Sequence, residues 1–255
     1  MIETDIVFQV MVVSAAGALI GLDRTAAGQF MLSQPIVAGP IAGWLLGDVS
    51  TGLVIGAVLE LIWVMDMPVG TFVPADSTIA AVWAAASCII GSSGRVDSHA
   101  IGFSLLLTIG MVPVTMKAEA MVRKKNARLA DFAASAGPGR AEVRLAAAHV
   151  IGLSGFFLKS FIIYIIFIPI GVAAVHWFGH APQRIHSAMS LFLPMLLLLG
   201  AASTVRRLSV AWIDRFMLAG FLIASVLAQA FGAGPALIIA CVAAAGWAGV
   251  RYYGR

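Results

Sequence analysis

The sequence predicts an all-α, polytopic integral membrane protein with broken or re-entrant helices. Three observations carry that prediction. Of its 255 residues 61% are hydrophobic, only 11% are charged, and the apolar stretches of the first third are short and crossed by glycine and proline. A soluble domain carries about 25% charged residues, so a chain this poor in charge cannot keep a folded surface wet. Its solvent is lipid. A spanning helix takes about 20 mainly apolar residues, which leaves room for roughly seven to nine segments joined by short loops. The organisation expected is a single membrane transport domain over residues 1–255.

The apolar segments fall at 6–22, 35–47, 51–65, 67–91, 100–116, 147–175, 187–204, 213–231 and 233–250. The first is preceded by Glu3 and Asp5 rather than by Lys or Arg, which reads as a retained helix and not as a secretory signal. The second and third are too short to cross a bilayer easily, and Pro35, Pro40, Gly47, Pro68 and Pro74 interrupt the region. Interrupted helices in a membrane must hide their freed backbone groups in protein or beside water, and transporters build substrate sites from such helices. Residues 29–91 are therefore the expected substrate region. Glycine spacing has a second reading, close helix packing, in Gly17-x-x-x-Gly21 and Gly52-x-x-x-Gly56. Residues 117–146 form a hydrophilic insert with seven Lys and Arg side chains between Lys117 and Arg144 against Glu119, Asp131 and Glu142. Ala136-Gly137-Pro138-Gly139 divides it into two pieces expected to lie as amphipathic helices on the membrane surface.

The excess of Lys and Arg assigns that insert to the cytoplasm. Counting crossings from it puts the N-terminus, Asp48, Asp97, His99 and the His176–His186 loop outside. Arg24, Arg206, Arg207, Arg215, Arg251 and the C-terminus then fall inside. The net charge of +4 fits this topology, with Arg95 and Arg184 the exceptions on the outer side. No soluble basic face exists for nucleic acid. Cys88 and Cys241 have no metal or disulfide spacing. No phosphate-binding loop, dinucleotide fingerprint or nucleophile motif is present, which disfavours ATP-driven transport by this chain alone. No metal or cofactor is expected.

An ionisable group within a bilayer costs at least about 2.5 kcal/mol, so such residues are functional candidates. Glu60, Asp66 and Asp76 share one apolar block. Glu60, in mid-segment without a basic neighbour, needs a buried partner. Sugar hydroxyls are one, because a carboxylate accepts from two vicinal O–H groups together. Asp66 also suits a helix end near the headgroups. Asp76, after Pro74 and before Ser77 and Thr78, also suits a helix N-cap. Gln29 and Gln34 flank the second segment, and Gln229 lies in a late one. Amides suit hydroxyl recognition and equally suit bonds between helices. Trp44, Trp63, Trp83 and Trp212 can stack on a pyranose or belong to an interfacial belt. Lys159, deep in 147–175, can pair with one of the three acids or snorkel. His99, His149, His176, His180 and His186 lie at segment ends or in loops and offer no phosphoacceptor or metal setting.

Residues 29–80 carry a more specific pattern. It comprises Gln34-Pro35 before an apolar run, Leu46-Gly47-Asp48, Thr51-Gly52, the run to Leu59-Glu60, Met67-Pro68-Val69-Gly70, and Pro74-x-Asp76. This resembles the membrane subunit IIC of the mannose/fructose/sorbose class of the phosphotransferase system. The departures are Ala75, where a second proline is common, and a more basic insert. The resemblance implies a hexose-translocating subunit that works with a second membrane chain, IID, and with soluble IIB and IIA components that carry the phosphoryl group. It also implies a homo-oligomer of IIC–IID units in a bacterial inner membrane, and no enzymatic activity of this chain by itself. Carried over to matching positions, the sugar site comprises Gln34, Glu60 and Asp76, with Asp66 and Gln29 on less regular parts of the pattern. Two other functions stand beside this one: an ion-coupled secondary transporter using Glu60 and Asp76, and a non-transporting scaffold or sensor working through the basic insert.

Overall fold

The computed structural model describes residues 2–63, 73–135, 137 and 140–208. Asp66, the 67–70 motif, Trp212, Gln229, Cys241 and the expected segments 213–231 and 233–250 lie outside the described residues. The chain divides into two compact units, Met1–Gly200 and Ala201–Arg255. Every contact discussed below lies within the first.

The described residues form seven helices: α1 (Ile2–Leu22), α2 (Pro35–Leu45), α3 (Val49–Trp63), α4 (Ser77–Gly91), α5 (Ser98–Ala134), α6 (Ala141–Phe178) and α7 (Gln183–Leu208). Four of these contain stretches long and apolar enough to cross a membrane: Asp5–Leu22, Ser98–Ala134, Ala141–Phe178 and Gln183–Thr204. The other three have 11, 15 and 15 residues. At 1.5 Å per residue they reach about 16–22 Å, short of a hydrocarbon core of about 30 Å. The protein is a multi-pass membrane protein with interrupted helices.

Two boundaries differ from the sequence prediction. In the described part of the apolar segment 67–91, residues 73–76 are not helical and the helix starts at Ser77, because Asp76 caps it there and Pro74 restrains the backbone before it. The insert at 117–146 is not a pair of separate surface helices. Lys117 to Ala134 is the last part of α5, and α6 starts at Ala141. Nothing between Lys117 and Ala134 stops a helix, since Ala, Lys, Arg, Met, Leu and Glu all propagate one. The Arg123–Glu119 pair adds an i,i+4 bond at 3.0 Å.

α2 and α3 fold back on each other along glycine. Gly39 and Gly43 on α2 meet Gly52 and Gly56 on α3, backbone to backbone. A Cβ at any of the four would strike main-chain atoms that cannot rotate away. The turn between them uses Gly47 at φ +85°. Asp48 then caps α3, accepting from the Thr51 amide at 3.0 Å and the Thr51 hydroxyl at 2.5 Å. The Gly17-x-x-x-Gly21 spacing also serves packing: Gly17 lies against Tyr164 and Val82, and Gly21 faces Ser160.

α4 is the centre of the unit. It touches α1, α2, α3, α5 and α6, and nearly all its side chains are buried. A helix apolar on all sides belongs inside a protein, and the alanine run Ala84–Ala86 lets its neighbours approach closely. Trp83 is buried and donates from Nε1 to the Phe167 carbonyl at 2.6 Å, so it is neither a belt residue nor a sugar-stacking surface. Trp44 is exposed, and Trp63 packs at the core's edge. α4 runs parallel to α6, pairing Asp76 with Lys159 at one end and Gly91 with Val175 at the other. α5 runs antiparallel to α6, with Phe103 on Phe178 and Glu119 on Lys159.

Gly52→Val is expected to destabilise the purified protein by about 1–3 kcal/mol, the usual range for overpacking, read as a lower thermal midpoint in detergent. Gly110 has open space around its missing Cβ, so Gly110→Ala is expected to gain roughly 0.5–1 kcal/mol from helix propensity. Equal effects from the two substitutions would refute the glycine seam.

Candidate functional site

Interrupted helices leave unpaired amides at their N-termini, and in this fold acids serve them. α2 begins at Gln34, whose side chain makes no capping bond. Its carbonyl accepts from the Val37 and Ala38 amides. Pro35 has no N–H, which leaves Ile36 as the next donor. Glu60, arriving from α3, accepts that amide through Oε2 at 3.2 Å. Oε1 makes no hydrogen bond to a described residue, and Glu60 is half-buried. Gln34 is the N-cap residue of α2, and Glu60 bonds the amide two residues on.

Asp76 heads α4. Its Oδ1 accepts from the Ile79 amide at 3.2 Å and from Arg24 Nη1 at 3.1 Å. Its Oδ2 accepts from Lys159 Nζ at 2.9 Å. Arg24 also donates to the Ala75 carbonyl at 2.7 Å and to the Ser77 hydroxyl at 3.3 Å. Because that contact is to a backbone carbonyl, alanine at 75 provides it as well as proline would. Lys159 Nζ donates in turn to Glu119 Oε2 at 2.9 Å, and Arg123 Nε donates to Glu119 Oε1 at 3.0 Å. The result is an alternating chain of charges, Arg24–Asp76–Lys159–Glu119–Arg123, drawn from the end of α1, the start of α4, α6 and α5. The Asp76, Lys159 and Glu119 side chains are 7–8% exposed.

The two helix starts are joined. Thr78, in the first turn of α4, donates to the Ser33 carbonyl at 2.6 Å. Asp23 holds the other side of that residue, accepting from the Ser33 amide at 3.2 Å and from the Phe30 amide at 2.6 Å. The loop so held carries Gly28, Gln29 and Met31 at positive φ, +86°, +60° and +67°. Gln29 is exposed on it, away from the described bonds of Gln34 and Glu60. Among the predicted site residues, Gln34, Glu60 and Asp76 thus belong to one hydrogen-bonded junction of two helix N-termini.

Residues 7–246 match the family described as the sorbose-specific IIC component of the phosphotransferase system. This chain belongs to that family. It is 25% identical over 205 residues to the mannose-specific EIIC component of Escherichia coli K12, covering 77% of this chain and 73% of that one. It is 26% identical over 198 residues to the fructose permease IIC component of Bacillus subtilis, covering 75% and 70%. With the sorbose-specific EIIC component of Klebsiella pneumoniae it shares 25% over 222 residues, covering 84% and 80%. The fold is similar to that of a solved membrane protein (TM-score 0.71, 20% identity, 97% and 96% coverage). It is also similar to a chain in the cryo-electron-microscopy structure of the mannose transporter ManYZ with microcin E492 (TM-score 0.56, 20% identity, 99% and 98% coverage).

The IIC sequence pattern now has physical content. Gly47 and Asp48 make the α2–α3 turn and cap, Thr51 answers Asp48, and Gly52 begins the glycine seam. Glu119 was legible only as one charge of the basic insert, and Arg24 only as a topology signal; the fold buries both against carboxylates and cations of other helices. Lys159 does pair with one of the three acids, Asp76, rather than snorkelling.

Breaking a buried ion pair costs about 3–5 kcal/mol because the remaining charge is stranded. Asp76→Ala is expected to lose that much in thermal unfolding. Asp76→Asn is expected to recover about 1 kcal/mol of it, because asparagine still caps α4. Equal losses would mean that the cap contributes nothing.

Proposed function

We propose that this IIC component carries a hexose across the membrane, gripping it at the junction of α2, α3 and α4. Glu60 is the observation that supports the reading most directly. It is a carboxylate inside an apolar block, with one oxygen spent on the Ile36 amide and the other available to sugar hydroxyls. Gln34, beside it at the start of α2, supplies an amide that both donates and accepts. The N-termini of α2 and α4 add the positive ends of two helix dipoles, the arrangement discontinuous helices provide in transporters.

Asp76 acts differently from Glu60 in this scheme. Its oxygens are taken by Ile79, Arg24 and Lys159, so it shapes the junction instead of binding hydroxyls first-hand. The same saturation argues against an ion-coupled carrier working through Asp76, because two cations already neutralise it. Gln29 and Asp66 remain part of the proposed substrate region, 29–91, within a single transport domain over 1–255. The N-terminus faces outward and the C-terminus the cytoplasm. A IID chain completes the translocation unit, IIC–IID units associate further, and IIB and IIA conduct the phosphoryl transfer that this chain does not perform. The names of the relatives suggest mannose, fructose or sorbose as the cargo.

Glu60→Gln is expected to lower sugar uptake at least ten-fold per inserted chain, while the thermal midpoint falls by no more than a few degrees. Uptake is measured with the IID, IIB and IIA components present, using mannose, fructose and sorbose in turn. Undiminished uptake would reject Glu60 as a sugar ligand and favour the scaffold function. Uptake that continues without IIB and stops with an uncoupler would favour an ion-coupled carrier.

A further inference from the structure

A buried ion pair is a poor source of net stability. Apolar side chains of similar volume often stabilise as much or more, because the charges must first leave water. What a charged group adds is direction: it fixes where its partner's oxygens lie. Lys159 is the midpoint of the alternating chain and, among the described residues, the one cation shared by two carboxylates, 2.9 Å from each. Its partner Asp76 heads α4, and everything that ties α4 to the proposed grip follows within one turn. Asp76 caps the Ile79 amide. Thr78 fixes the Ser33 carbonyl. Ser33 precedes Gln34, and Glu60 closes the start of α2 at Ile36. Lys159 itself is on α6, outside the substrate region, and among the described residues it bonds to Asp76 and Glu119 but not to Glu60 or Gln34.

We propose that Lys159 is a positioning residue for sugar capture, setting the place of the α4 N-terminus through Asp76, with Glu119 as the counter-anion that keeps its ammonium aimed. This rests on the transport function proposed above. Removing Lys159 leaves Arg24, from the α1 side, as the one cation on Asp76 among the described residues, beside the Asp76 amide's bond to the Thr115 hydroxyl at 3.4 Å, so the carboxylate is drawn toward α1 and the first turn of α4 shifts relative to Ser33 and Gln34. Sugar affinity then falls even in chains that insert normally. Arginine at 159 can still bridge two carboxylates and preserves the direction. Glu119→Gln removes one of the two anions and loosens Lys159 without stranding Asp76.

The test uses full-length chain with its IID, IIB and IIA components and whichever of mannose, fructose or sorbose the wild type takes up. KM and maximal rate are measured per inserted chain. Lys159→Met is expected to raise KM at least ten-fold, Glu119→Gln two- to five-fold, and Lys159→Arg less than three-fold. A purely structural lysine would lower the amount of inserted chain and leave KM unchanged, and that result overturns the inference. Should Lys159→Met fail to insert, Glu119→Gln decides: an unchanged KM again overturns it. A wild type that takes up none of the three sugars defeats the proposed function first, and this inference with it. Normal wild-type uptake with unaltered KM in the variants defeats this inference alone.

Discussion

The contact between Lys159 and Asp76 is the constraint on which the described unit is built. Charge in a bilayer survives only in company, and this pair recruits its company from four places in the sequence. Arg24 comes from the end of α1, Asp76 from the turn before α4, Glu119 from α5 and Lys159 from α6. Each of those elements must arrive at one level for the charges to cancel, so the electrostatics fix the relative heights of the helices.

A second constraint follows from the interrupted helices. Their N-termini carry amides without helical partners, and the chain supplies a carboxylate to each. Asp48 caps α3, Asp76 caps α4, Glu60 closes α2 from across the hairpin, and Asp23 gathers the amides of Phe30 and Ser33. An acid in this region is therefore first a backbone ligand. Among the described residues the acids differ in what is left over: both oxygens of Asp76 are engaged, and one oxygen of Glu60 is not. The glycine seam between α2 and α3 serves the same end, because it brings Glu60 close enough to reach Ile36.

The long α5–α6 hairpin changes the meaning of the basic insert. Lys159 lies 18 residues from the start of α6 and 19 from its end, so about 27 Å of that helix extends past the ion cluster on the insert's side. The Lys and Arg side chains of 117–144 ride on this extension of two paired helices, with Arg123 linking it to the buried chain through Glu119. What reads in one dimension as two amphipathic surface helices is in three dimensions the end of α5 and the start of α6.

The sequence by itself determined the solvent, the helical class and the place where regular helix fails. Composition, the spacing of apolar runs and the glycines and prolines of residues 29–91 are local quantities, and local chemistry is enough to read them. It also singled out Glu60, because a carboxylate in an apolar run is conspicuous wherever the run folds; it left Gln34 open between hydroxyl recognition and helix bonding, and Asp76 between cap and ligand. Only the tertiary structure decided that Asp76 is a cap saturated by two cations, that Arg24 and Glu119 belong to the buried network, and that Lys159 joins them. Those partners are 52, 83 and 40 positions apart in the chain. Pairing at such separations is set by helix packing, which no single stretch of sequence encodes.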